Sequence, residues 1–251
     1  MELLRTGADK KGDQKFTFTQ PKNKKFMEAP FKKIDWHLNI LPRQAGKALA
    51  FLSQQPWLKH TPWYLAGGTA LALQAGHRRS NDLDFFTQKP NFSNTSLLRH
   101  FLEDPNWKTN IVEEGTIYGE FFKAKVSFIA YPFFKPSHPA SWYGTIRVLK
   151  PLDLAVMKVI TISQRGRKRD FIDLYWCAKH IEPLDKIILR LKTQYPSVAH
   201  NYHHILKSLV YFSDAENDPI PQLFSDISWT AVKKFFQKEI PEITNTVIKL
   251  G

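Results

Sequence analysis

Cysteine is almost missing from this sequence: Cys177 is the only one in 251 residues. That excludes an internal disulfide and any zinc site built on cysteines. It fits a reducing, intracellular compartment, and a cytoplasmic location is the expectation. Long apolar runs are missing too. None approaches the roughly 20 residues a membrane-spanning helix needs, so no membrane partner is expected. The N-terminus lacks the apolar segment of a secretory signal. Acidic residues are in short supply, with 23 Asp and Glu against 36 Lys and Arg, for a formal net charge of +13. Such an imbalance attracts polyanions: nucleic acid, nucleotides or an acidic partner. Several motifs are absent as well. No Gly-x-x-x-x-Gly-Lys-Ser/Thr loop, no Gly-x-Ser-x-Gly elbow and no His-Glu-x-x-His pair occurs, which argues against P-loop ATPases, α/β-hydrolases and zinc proteases. His200, His203 and His204 lack such partners and are expected on a helix surface.

The chain does have apolar and aromatic content, at 43% and 14%, enough for a sizeable core. Residues 1–26 are polar, lysine-rich and aperiodic, and read as a flexible basic arm; Met27 is a candidate second start. Residues 27–150 alternate strand and helix patterns. Helical periodicity appears over 39–55, 69–74 and 93–103, and strand patterns over 63–66, 81–86, 116–121, 123–130 and 145–149. From Pro151 the pattern is helical throughout, over 153–163, 170–180, 184–194, 199–212 and 229–239. The expected fold class is α/β (α+β), a mixed sheet with flanking helices over 27–150, followed by an all-helical half over 151–251.

The chemistry concentrates in WYLAGGTALALQAGHRRSNDLDFF, residues 63–86. A strand runs into Gly67-Gly68, and a helix begins at Thr69. Glycines there let a phosphate approach the free N–H groups of the helix start, and Thr69 adds a hydroxyl. Next comes a strand carrying Asp82 and Asp84. Side chains two apart share a face, so the two carboxylates stand together while Leu83 and Phe85 point to the core. Adjacent carboxylates repel unless a cation lies between them, and Mg²⁺ commonly binds one or two carboxylates plus substrate phosphates. Either motif alone also describes an ordinary turn or a solvated strand end; the combination is far more specific. His77, Arg78, Arg79 and Ser80 lie just ahead of the aspartates. Arg78 and Arg79 are candidate phosphate ligands, and Ser80 a candidate ligand or turn residue.

The stretch GGTALALQAGHRRSNDLDFF resembles the signature of AbiEii/AbiGii-type nucleotidyltransferase toxins, in the polymerase-beta-like superfamily. The resemblance continues in LKPLDLAVMKVITISQRGRKRDFIDLYWCAKH (149–180) and in HHILKSLVYFSDAEN through ISWTAVKKFF, so it spans most of Met27 to about Gln237. It implies a nucleotidyltransferase, the toxin of a toxin–antitoxin or phage-defence pair, with an antitoxin protein as partner. It implies that Gly67 and Gly68 seat a nucleoside triphosphate and that Asp82 and Asp84 hold Mg²⁺. Lys158 and Asp170 or Asp173 would complete the site.

Read from the residues alone, Lys158 lies on a partly apolar helix face, either aimed at a cleft or snorkelling. Asp170 is expected at a helix N-cap with Asp173 at N3; Asp173 is the candidate general base or electrostatic partner. Polymerase-beta-like enzymes often carry a third carboxylate on a later strand. Here Ser127 occupies that position, which puts a two-metal mechanism in doubt and leaves Glu120 as an outside candidate. Arg165, Arg167, Lys168 and Arg169 are candidate contacts to nucleic acid, an RNA acceptor such as the 3′ end of a tRNA. The alternatives are transfer to a protein side chain (AMPylation) and an inactive binding protein of the same fold.

Overall fold

The computed structural model describes residues 34–250; the arm expected over 1–26 lies outside them. In chain order the helices are α1 (Arg43–Leu52), α2 (Pro56–Lys59), α3 (Gly67–Ala75), α4 (Asn94–Leu98), α5 (Pro151–Arg165), α6 (Lys168–His180), α7 (Leu184–Leu189), α8 (Leu191–Gln194), α9 (Tyr202–Ser208), α10 (Ser213–Glu216) and α11 (Trp229–Leu250). The strands are β1 (Tyr64–Ala66), β2 (Leu83–Thr87), β3 (Trp107–Glu113), β4 (Thr116–Phe121), β5 (Ala124–Ala130), β6 (Ser141–Tyr143) and β7 (Ile146–Val148). Among the described residues they form one seven-stranded mixed sheet in the order β3-β4-β5-β2-β1-β7-β6. β2 runs antiparallel to β1 and parallel to β5.

Register places the chemistry. Ala66 is paired with Asp84, and Asp84 with Ser127. Three neighbouring strands thus bring the start of the glycine turn, one aspartate and the serine into a single row. Alternation then divides the sheet into two faces. Leu83, Phe85 and Phe128 are fully buried on one side, where Phe85 stacks on Phe128 and Trp57 and Trp63 pack over it. Asp84, Phe86, Ser127 and Ile129 face the other side, which is left open as a cleft.

The helical half closes that cleft. α5 packs on α3 and on α6, and α11 on α6, α7 and α9. α5 starts at Pro151, two residues before the periodicity suggested, because proline is favoured in the first helical turn. α6 also starts early, at Lys168 with Arg167 at the N-cap. Asp170 is therefore the third residue of that helix and not its cap, and Asp173 lies a turn further in. α11 continues well past 239, through Pro241. Two strands were not expected. β3 and β6 are the edges of the sheet, and β3 is exposed along almost its whole length, so no apolar alternation marks it.

Phe171 anchors α6 to the C-terminal helices. It is fully buried, with ring centroids 5.2 Å from Phe212, 5.9 Å from Trp229 and 5.5 Å from Phe236. Phe171→Ala is expected to cost about 3–5 kcal/mol of stability in urea unfolding. A loss under about 1 kcal/mol would mean that this cluster does not hold the helical half together.

Candidate active site

The glycine bend and the aspartates share one cleft of about 480 Å³, walled by the sheet on one side and by α5 and the start of α6 on the other. Gly67 has φ +70°, and a Cβ there would lie 2.8 Å from Asp84 Oδ2. Backbone conformation and close approach both demand glycine at this position. Gly68 is constrained differently: a Cβ would collide with the Arg78 guanidinium. The N-terminus of α3, with its unpaired N–H groups, thus opens directly beside Asp84. Thr69 is buried, and its hydroxyl donates to Ser80 Oγ at 2.8 Å.

Asp82 and Asp84 differ in environment. Asp82 precedes β2 at the cleft mouth with its side chain 36% exposed, and Arg169 Nη1 is 3.8 Å away. Asp84 lies on the floor and accepts a 2.7 Å hydrogen bond from Ser127 Oγ. Burial raises the Asp84 carboxyl above its ordinary range; the Ser127 hydroxyl offsets part of this, and the neighbouring Asp82 charge adds to it. No ion pair to Asp84 occurs among the described residues. The pair is thus a concentrated negative charge, offset only by the long contact of Arg169 to Asp82. No set of three or more metal-ligating side chains occurs among the described residues. Glu120 does not supply a third carboxylate, because it lines a separate groove with Lys108 and Lys123.

Opposite the aspartates lies a buried cluster of charge. Asp173 is fully buried and is contacted by three basic side chains. Arg78 donates from Nε to Oδ1 at 2.6 Å and from Nη2 to Oδ2 at 2.7 Å. His77 Nε2 is 2.8 Å from Oδ1, and Lys158 Nζ is 2.7 Å from Oδ2. Burial alone would raise the Asp173 carboxyl, but Arg78 and Lys158 outweigh it and hold it well below its ordinary value. His77 is pushed down by burial, so it donates as the neutral imidazole. Lys158 also pairs with Asp170 Oδ1 at 2.5 Å. Burial favours the neutral amine, but Asp170 and Asp173 together raise it.

These pairings sort the expected residues. Lys158 reaches the cleft wall, with two of its three N–H donors spent on carboxylates and one left over. Arg78 uses three of its five donors on Asp173 and the Arg79 carbonyl and lines the cleft beside Gly68. Arg165 and Arg169 line the cleft as well, as does Asp170, whose Oδ2 is buried without a partner. Asp173 does not line it. With both oxygens taken by cations and its carboxyl held low, it is a poor proton acceptor and acts instead as a clasp for Arg78 and Lys158. Arg167 is bound to Asp218 at 2.7 Å. Lys168 is corrected: it is buried and donates to the Glu216 and Asp218 carbonyls, so it is not free to meet nucleic acid. Cys177, on the apolar face of α6, is buried.

Sequence reading missed several residues of this cleft. Lys125 stands two before Ser127 on β5, a spacing that places both on one face. Leu154, Met157 and Thr161 flank Lys158 at helical intervals and form much of the α5 wall. Asn110 enters at a β-bulge between Thr109 and Ile111 and has no such signal. A third group is remote in sequence. The Phe224 N–H donates to the His77 carbonyl, the Arg79 N–H to the Gln222 carbonyl, and Leu223 bridges Arg78. The C-terminal part therefore braces the backbone that carries Arg78.

This arrangement places a glycine-gated helix start, paired carboxylates and a clamped lysine around one cleft on a mixed sheet, the fold of nucleotidyltransferases. The sequence profile of the nucleotidyl transferase AbiEii toxins of type IV toxin–antitoxin systems matches residues 50–132 and 120–245. The chain is 34% identical over 187 residues to an uncharacterized protein of Aquifex aeolicus (strain VF5), covering 72% of this chain and 87% of that one. Its fold is similar to that of MenT4, a nucleotidyltransferase toxin from Mycobacterium tuberculosis H37Rv, with a TM-score of 0.52 at 14% identity, over 82% of this chain and 93% of that one. The chain belongs to the AbiEii nucleotidyltransferase toxin family, and it is a nucleotidyltransferase. No described helix is long and apolar enough to cross a membrane.

Two outcomes follow from the charges. Asp173→Asn leaves Arg78 and Lys158 buried with a charge short, and is expected to cost about 3–5 kcal/mol at neutral pH. The Asp173 contribution is present above the ordinary carboxylate pKa and is lost as pH falls toward the lowered folded value. The gap between wild type and variant in thermal unfolding should therefore close in acid; a gap that widens there would refute the clasp. Asp84→Asn has the opposite sign. A raised folded pKa means that the ionised form is disfavoured by folding, so the amide should stabilise the protein by about 1 kcal/mol at pH 7. That gain should vanish below pH 4, and a destabilised variant at pH 7 would contradict the reading.

Proposed function

We propose that this protein transfers a nucleoside monophosphate from an NTP to a hydroxyl of an RNA acceptor, tRNA-like at its 3′ end, in a Mg²⁺-dependent reaction. In that role it acts as the toxin of a toxin–antitoxin or phage-defence pair restrained by a cognate antitoxin protein. The observation that carries the reading is the approach of Gly67 to Asp84, which sets a phosphate cradle against a carboxylate that has no ion-pair partner among the described residues.

Asp82 and Asp84 would hold Mg²⁺. The fit is to one hard cation, because the row that supplies Asp84 offers Ser127 where a further carboxylate would stand. Bound there, the ion would neutralise charge on the phosphates. The N–H groups of Gly67 and Gly68, with the N-terminus of α3, take phosphate oxygens. The remaining N–H of Lys158 and the free Arg78 donors meet the negative charge that grows on the departing pyrophosphate. The acceptor hydroxyl forms the new O–P bond at the α-phosphorus as the bond to the β-phosphate oxygen breaks. Its proton leaves to water at the open mouth of the cleft. Phosphate-binding basic groups and a net charge of +13 favour RNA over a protein acceptor.

Incubation with total RNA and NTP labelled at the α or the γ position tests this. α-Label should enter ribonuclease-sensitive product, and Asp84→Ala should lower that by about 100-fold or more, since the cation seat is lost. Label arriving from the γ position, or product sensitive to protease only, would overturn the RNA-transfer reading.

A further inference from the structure

A second groove adjoins the main cleft. Residues 216–224 form a strap tied at both ends. At one end Lys168 and Arg167 bind Asp218 and the Glu216 carbonyl. At the other end the strap pairs with residues 77–79. Between the ties lies a groove of about 280 Å³, bounded by Arg79, Asn81, Arg169, Pro219 and Ile220. Arg78, Ser80, Asp82 and Arg169 line both this groove and the main cleft, so the two open into one another at Asp82.

Resting on the nucleotidyl-transfer reading, we propose that this groove binds the acceptor: a single strand of RNA, whose backbone phosphate next to the attacking nucleotide lies against Arg79 and Arg169. Three observations support it. The first is position. An acceptor must reach the cleft without crossing the triphosphate cradle, and the groove meets the cleft at its mouth, beside the exposed aspartate. The second is charge. Arg79, a candidate phosphate ligand from the sequence, does not line the main cleft; it is exposed, has no carboxylate partner among the described residues, and its guanidinium donates to Gln222 Oε1 at 3.0 Å. Arg169 is half exposed and no closer than 3.8 Å to its one acidic neighbour, Asp82. Asp218, the other carboxylate of the groove, is already paired with Arg167 and accepts the backbone N–H of Lys168. Free guanidinium donors at the acceptor side suit a phosphodiester; a serine, threonine or tyrosine acceptor brings no anion to fill them. The third is surface chemistry. Ile220 is 59% exposed between Pro219 and Pro221, an apolar rim against which an unpaired base can rest.

Binding of a fluorescein-labelled, unstructured 12-nucleotide RNA to the full chain, followed across a salt series, tests the groove. Arg79→Gln should weaken binding about 10-fold and reduce the slope of log K against log salt by about one. Arg79→Lys should keep most of the slope, and Mg·ATP binding should be unchanged in both variants. Unchanged RNA affinity and slope in Arg79→Gln would overturn the proposal, as would equal competition by a polyglutamate peptide of matched charge. The transfer assay reports separately. α-Label transfer by an Arg79→Gln protein with unaltered RNA binding overturns the groove alone. Arg79-dependent RNA binding without any transfer by wild type supports the groove and defeats the transferase reading.

Discussion

The site depends on a buried carboxylate that faces away from it. Asp173 gathers Arg78, His77 and Lys158 around two oxygen atoms, and these partners come from a loop of the sheet half and from a helix of the other half. Removing two cations and an anion from water costs several kcal/mol per ion unless the geometry is close and every lone pair is filled. Here it is close: contacts of 2.6–2.8 Å fill both oxygens. With Asp170 also on Lys158, the pairing neutralises the lysine and arginine within the fold yet leaves each a spare N–H at the cleft wall. Their positions are set before any ligand arrives, which is the arrangement that makes charged groups effective toward a charge that develops during reaction.

Across the cleft the logic reverses. Asp84 is half-buried, its carboxylate hydrogen-bonded among the described residues only to the Ser127 hydroxyl, and burial holds its carboxyl high. The protein thus keeps one wall with satisfied charge and one with unsatisfied charge. The unsatisfied wall is a local cost in stability, located where a cation and a polyphosphate would relieve it. Ser127 in the row beside Asp84 limits how much anionic charge that wall carries, and so how much cation it can retain.

Much of this was legible in the residues, and the rest was not, for physical reasons. The Gly-Gly turn, the two-residue spacing of Asp82 and Asp84, and the inward Leu83 and Phe85 follow from backbone geometry that acts over a few residues. Ser127 beside Asp84 was read from strand pattern and family likeness together. The role of Asp173 was beyond such reading, because it depends on which groups surround it in space and His77 is 96 positions away. Lys168 was read as a contact to nucleic acid in a turn between helices, but a helix start placed two residues earlier turned it inward toward the carbonyls of the strap. The edge strands β3 and β6 carried no alternation, since exposure on both faces imposes none.

The strap has a consequence for the timing of assembly. The loop bearing Arg78 is held by Gln222 and Phe224, and Arg79 meets Gln222 143 positions further along the chain. A ribosome releases the glycine bend and both aspartates long before it releases their brace. A nascent chain, or one cut short before the strap, would therefore carry the reactive residues without the framework that aligns them until residues 222–224 have emerged.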